Sequence, residues 1–247
     1  MSYTNGCISE HLASSIFNLI GITAQETILG TYTVRDKVKL VCACRDFTSS
    51  GMRFFDFCSI KNTVLDSNSN GTGTELSDVL DAIDKQRYLN PSFLRNHFWD
   101  VFIVDALVGN FDRHNGNWGF LYEDRTESAS IAPVFDCGCC LLPQAGESVM
   151  RKVLSSEPDL HARVFQFPTS ALKLNDRKIN YFDFISKGDN PECASALRRI
   201  FPRIDLSCIN AFIDQVEPLS DLQREFYKTY IQARYDLILL PAYKRIV

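Results

Sequence analysis

The sequence predicts an α+β fold, with a small β-containing N-terminal part followed by a mostly helical remainder. Three observations predict it: one hairpin-like run of β-branched residues before position 46, a series of well-capped amphipathic helical stretches after position 75, and two polar loops flanking a short hairpin between them. The polar loops are Gly109-Asn110-Phe111-Asp112-Arg113-His114-Asn115-Gly116-Asn117 and Ile131-Ala132-Pro133-Val134-Phe135-Asp136-Cys137-Gly138.

In chain order, Ile8, Leu12, Ile16, Leu19 and Ile20 recur on one helical face, and Gly21 suits its end. Residues 27–34 and 38–45, around Arg35-Asp36-Lys37, read as a hairpin. A polar, glycine-containing loop from Asp66 to Thr74 leads into a helix carrying Leu76, Val79, Leu80 and Ile83. Asn90-Pro91 pairs an N-cap with a proline at the first helical position, and Leu94, Phe98, Val101, Phe102 and Val108 continue that helix to Gly109. Residues 118–122 read as a strand, Glu123-Asp124-Arg125 as a turn, and 131–135 as the returning strand. Asn190-Pro191 and Asp205 start two further helices. Ser220 with Gln223 forms a capping box before a long helix bearing Leu222, Phe226, Tyr230, Ile231 and Leu237. The chain has no internal repeat.

The two loops carry the chemistry. Asp112 and Asn117 stand five positions apart between a helix and a hairpin, and Asp136 follows at the hairpin's far end, 24 residues after Asp112. Antiparallel strands joined by a short turn bring their ends together. Phosphoryl transfer needs such a set: one carboxylate to accept the proton of an attacking hydroxyl, and an Asn with a second carboxylate to hold magnesium. Asp112 alone would be an ordinary turn residue. A calcium loop is a poorer reading, because the run lacks alternating oxygen ligands.

These residues resemble the catalytic and metal-binding loops of the HipA-like kinases, nearest to the bacterial subgroup of CtkA-type Ser/Thr kinases. The resemblance extends from about Asn5 to the end of the chain and includes Arg177-Lys178-Ile179-Asn180-Tyr181-Phe182-Asp183-Phe184. It implies a protein-kinase-like α+β fold, with a partial N-lobe and hinge over residues 1–47 and a C-lobe over 48–247. It also implies Asp112 as catalytic base, Asn117 and Asp136 as magnesium ligands, and transfer of the ATP γ-phosphate to a protein hydroxyl. Glu10 would match the helix-C glutamate that pairs with a phosphate-binding lysine. Its plainer reading is a favourable acid in a first helical turn. Cys44, Arg45, Asp46 and Phe47 fall where the hinge contacts adenine, and His114 belongs to the nucleotide site. Arg113 braces the catalytic loop, and Asn115 shapes its turn. Asp-Arg-His-x-x-Asn is also the loop of the phosphatidylinositol kinases, so a lipid substrate is an alternative.

One departure from the family pattern is plain. No glycine-rich loop precedes Glu10, and no Lys or Arg occurs before Arg35; Lys37 and Lys39 follow the helix. The resemblance therefore implies a kinase lacking the start of its N-lobe. Three explanations are open: a truncated gene, a split system whose missing strands come from another chain, or a nucleotide-binding pseudokinase of the toxin–antitoxin type, with a DNA-binding antitoxin as partner.

A net charge of −4 and a pI near 5.6 argue against direct nucleic-acid binding. No apolar run approaches the roughly 20 residues of a membrane span, and Met1 opens no cationic leader, so cytoplasmic residence is expected. Nine cysteines at irregular spacing favour free thiols over zinc or disulfides. The cysteines are expected mostly as buried free thiols; a thiolate of Cys137 or Cys139 exposed in the metal loop would be redox-sensitive. Residues 144–168 are expected to form the activation segment, with Ser148, Ser155 and Ser156 exposed near Arg151 and Lys152.

Overall fold

The computed structural model describes residues 4–48, 51–65 and 70–247. Helix α1 (Gly6–Leu19) buries Ile8, Leu12, Ile16 and Phe17, and Gly21 follows at φ +81°. The hairpin β1 (Thr27–Val34) and β2 (Lys37–Cys44) closes at Arg35 and Asp36, both at positive φ as a two-residue primed turn requires. Leu29 and Leu40 turn one hairpin face toward the core. The other face leaves Ile28 and Tyr32 exposed, and Val38 is exposed on the first face near the turn.

After the hinge, β3 (Met52–Asp56) pairs with β4 (Gly119–Glu123), which pairs with β5 (Ser128–Ile131), all antiparallel. The returning strand is thus shorter and earlier than residues 131–135. Pro133 has no N–H to donate, so the ladder cannot run through it. Residues 132–135 instead swing toward the N-terminal part, where Gln25 N–H donates to Val134 O at 2.7 Å and Val134 N–H to Thr23 O at 2.9 Å. This clasp ties the segment after α1 to the approach of Asp136.

The C-terminal remainder is built on α4 (Pro91–Val108), from which Trp99, Ile103, Val104, Ala106, Leu107 and Val108 are wholly buried. Asn90 caps it by accepting from Phe93 N–H, and Gly109 ends it at φ +65°. A side chain at Gly109 would meet the Tyr230 hydroxyl and Pro168. Against α4 pack α3 (Leu76–Lys85), α8 (Pro191–Ile200) and, through Tyr181 and Phe184 on Phe102 and Trp99, α7 (Tyr181–Lys187). Helix α2 (Phe57–Val64) and the hairpin β6 (Thr169–Leu174) and β7 (Arg177–Asn180) pack on α3, and α9 (Leu206–Gln215) packs on α1. The capping box of Ser220 and Gln223 opens α10 (Asp221–Arg234), which passes through one π-helical segment (Tyr235–Leu239) into α11 (Leu240–Ile246). Residues 144–168 fold largely as two helices, α5 (Glu147–Ser155) and α6 (Glu157–Phe165). Ser148 and Ser155 are exposed there, whereas Ser156 is half-buried and caps α6 through Asp159 N–H. The polar loop of the sequence reading falls partly outside the described residues, at 66–69. No helix among the described residues is long and apolar enough to cross a membrane.

Candidate active site

The loop after α4 is held by a buried network. Asn110 donates to Asp105 Oδ1 at 2.8 Å, accepts from Asp112 N–H at 3.0 Å, and its carbonyl accepts from the Tyr181 hydroxyl at 2.6 Å. Arg113 is the hub. Its guanidinium meets both oxygens of Asp105 at 3.3 Å, Asn117 O at 3.0 Å and Phe135 O at 2.5 Å, and Cys137 Sγ at 3.4 Å. One side chain therefore joins the loop of Asp112 to the loop of Asp136. The expectation that Arg113 braces the loop holds, with Asp105 as the carboxylate it braces against. Asn115 does more than shape a turn: it is buried and donates to Gly71 O and Gly73 O at 2.7 and 2.8 Å. Lys61, also buried, donates to Gly73 O. Loop residues 71–73 are thereby fastened beside the catalytic loop.

Within this frame Asp112 and Asn117 are bonded to each other, and Cys139 lies near both Asp112 and Asp136. Asn117 Nδ2 donates to Asp112 O at 2.9 Å, which turns the amide so that its Oδ1 is the atom left for a ligand. Cys139 Sγ donates to Asp112 Oδ2 at 3.6 Å and lies in the field of Asp136 as well. Burial, then the nearby Asp112 carboxylate, pushes its thiol up to about 12. Asp136 is exposed and sits at φ +52°, an uncommon conformation for a residue with a side chain. Glu10 is buried, accepts from Ser14 Oγ at 3.4 Å, and lies in the field of Asp136. Burial, then the charge of Asp136, raises its pKa. Among the described residues no lysine forms an ion pair with Glu10. His114 is exposed and its Nδ1 accepts from Gly116 N–H at 3.0 Å, so in the neutral ring the proton sits on Nε2.

The hinge residues divide. The Arg45 side chain pairs with Glu26 just before β1 at 2.8 Å and Asp46 accepts from Thr48, so both side chains are occupied. Cys44 is exposed. Phe47 makes ring contacts with Phe54 at 5.7 Å and Phe135 at 5.6 Å, and Phe54 meets Phe135 at 5.4 Å. Phe54 and Phe135 escaped the sequence reading, because lone phenylalanines on strands read as core. The signal available was Phe135 directly before Asp136.

The second loop exposes neither thiol. Cys137 and Cys139 are both buried, because the loop after Asp136 folds inward against Arg113 and the core, with Leu141 and Leu142 also at positive φ.

Fold and site together define a kinase-like protein of the HipA type. The chain belongs to the family of CtkA serine/threonine-protein kinases. It is 48% identical over 248 residues to the serine/threonine-protein kinase CtkA of Helicobacter pylori strain J99, covering 100% of this chain and 75% of that protein. The crystal structure of a Helicobacter pylori proinflammatory kinase CtkA superposes with a TM-score of 0.94 at 47% identity, over 98% of this chain and 87% of the other. HipA of Shewanella oneidensis, solved with HipB and operator DNA, superposes with a TM-score of 0.63 at 17% identity, over 98% of this chain and 58% of the other, and shares the fold. No protein-family model matches the chain.

Proposed function

We propose that this chain transfers the γ-phosphate of ATP to a Ser or Thr hydroxyl of a protein, with Asp112 as general base. The observation that carries the reading is the bond from Asn117 Nδ2 to Asp112 O, which fixes base and ligand in one rigid unit. Asn117 Oδ1 and the exposed Asp136 carboxylate are hard oxygen donors, the set that suits magnesium. When bound, magnesium neutralises charge on the phosphates. Asp112 takes the proton of the incoming hydroxyl as its oxygen bonds to phosphorus. His114 Nε2–H, exposed beside the base, suits donation to a phosphate oxygen. Phe47, Phe54 and Phe135 offer ring faces beside the hinge for adenine.

The test follows radiolabel from γ-labelled ATP into protein Ser or Thr, comparing this chain with Asp112→Ala. Label in protein that disappears in the variant supports the reading. Label confined to inositol lipids would replace the protein acceptor with a lipid one. A second reading, a nucleotide-binding pseudokinase or split-kinase subunit, is favoured by one observation, that no lysine among the described residues pairs with Glu10. It predicts that magnesium-ATP binds and is lost in Asp136→Ala, while no label moves unless a partner chain supplies the lysine. A cytoplasmic site of action and a DNA-binding antitoxin as partner fit this second reading; HipA of the matched structure is part of a toxin–antitoxin system solved with HipB and operator DNA.

A further inference from the structure

Cys137-Gly138-Cys139-Cys140 is a Cys-x-x-Cys run set directly after the proposed metal ligand Asp136. Phosphoryl transfer as derived above uses neither Cys137 nor Cys140. The backbone closes around them: Cys140 N–H donates to Cys137 O at 3.1 Å, forming a four-residue turn. Such a turn keeps its first and fourth Cα atoms within about 7 Å, and disulfides need Cα atoms about 4.4–6.8 Å apart. Both side chains are buried on the inner side of this turn's loop. All nine cysteines are free in this structure.

We propose that Cys137 and Cys140 form a reversible disulfide that slows phosphoryl transfer by pulling the metal loop away from Arg113. In the reduced form Cys137 Sγ accepts from Arg113 Nη2 at 3.4 Å, on the same guanidinium that holds Asn117 O and Phe135 O. Drawing that sulfur onto Cys140 removes a contact from the hub and shifts the residue next to Asp136. Both sulfurs are buried, so the reaction requires the loop to open. The loop is suited to open: Asp136, Leu141 and Leu142 hold φ of +52°, +56° and +55°, each a conformation that only surrounding contacts maintain.

The oxidant is a small disulfide. One sulfur attacks it, forming a mixed disulfide and releasing one thiolate. The second sulfur displaces the other thiolate, closing the Cys137–Cys140 bond. The two thiol protons leave with the two released thiols, and the pair of electrons reduces the oxidant.

The bond itself does not depend on the reading of the site, whereas its effect on phosphorylation rests on it. The test equilibrates the whole chain in glutathione buffers from reducing to oxidising, alkylates free thiols and maps peptides under non-reducing conditions, with label transfer measured in parallel. The expected result is a Cys137–Cys140 link, lighter by two hydrogens. Label transfer falls by about tenfold or more, the scale of a catalytic group displaced by an ångström or less, and returns on reduction. Cys140→Ser should abolish both the link and the sensitivity while keeping the reduced activity. If its melting temperature shows a folding defect, Cys140→Ala replaces it. A link that never forms, or an equal loss in a folded Cys140 variant, overturns the proposal. A reduced chain that labels nothing would sink the kinase reading instead, and peptide mapping would still decide the bond.

Discussion

Arg113 and Asp105 face each other through two hydrogen bonds of 3.3 Å, and both side chains are buried. Burial pushes the Asp105 carboxyl up while the guanidinium beside it works the other way. Removing one partner leaves an uncompensated buried charge, a loss of about 3–5 kcal/mol. Arg113→Ala should therefore lower unfolding stability by that order in a urea titration, and Asp105→Asn in the same chain should recover part of it. Additive losses in the double variant would show that the pair is not coupled.

Much of this frame was legible in the sequence. Asn90-Pro91, Gly109, Asn190-Pro191 and the Ser220–Gln223 box mark helix ends by local chemistry that tertiary context did not override. The loops of Asp112, Asn117 and Asp136 were legible because residue type, order and flanking elements agree. The strand after the Glu123 turn ends at Ile131 rather than Phe135, because the apolar run 131–135 suggests a strand but Pro133 cannot donate to the ladder. The aromatic cluster of Phe47, Phe54 and Phe135 joins three separate segments, and no local pattern encodes such a meeting. The same holds for Asn115, whose partners lie more than 40 positions away.

Asp112 and Asn117 should separate chemistry from binding. Asp112→Ala removes the proton acceptor and keeps both oxygen donors of the proposed magnesium site. Label transfer should fall by roughly 10²–10⁴-fold, with magnesium-ATP affinity by calorimetry nearly unchanged. Asn117→Ala removes both the Oδ1 ligand and the Nδ2 bond to Asp112 O, so affinity and turnover should drop together. Equal behaviour of the two variants would argue against the division of roles.

Asn115 supplies a prediction about the neighbouring loop. Its amide satisfies the carbonyls of Gly71 and Gly73, and a side chain at Gly71 would meet the Cys58 carbonyl, so the loop fits closely where it is. Asn115→Ala leaves those carbonyls short of a buried donor, a loss of about 1–3 kcal/mol per group left unpaired. Hydrogen exchange of the amides at 71–73 should speed up relative to those of α4. Unchanged exchange there would mean that the donor on Lys61 alone holds the loop.

The final prediction concerns acid. His97 lies on α4 and lines a small cavity with Asp105, Arg113 and Asn117. Burial, then the positive charge of Arg113, lowers its pKa from 6.5 to about 4. A histidine whose folded pKa is depressed binds its proton more readily in the unfolded chain. Its full stability is therefore present above pH about 6.5 and is lost as the pH falls from there to about 4, where the folded form also protonates. A shift of this size corresponds to about 3 kcal/mol across that window, at 1.36 kcal/mol per unit. Urea titrations at pH 7 and pH 4.5 should differ by most of that amount, and His97→Phe should remove this part of the difference. A variant with the same acid sensitivity as the parent chain would assign the loss to carboxylates instead.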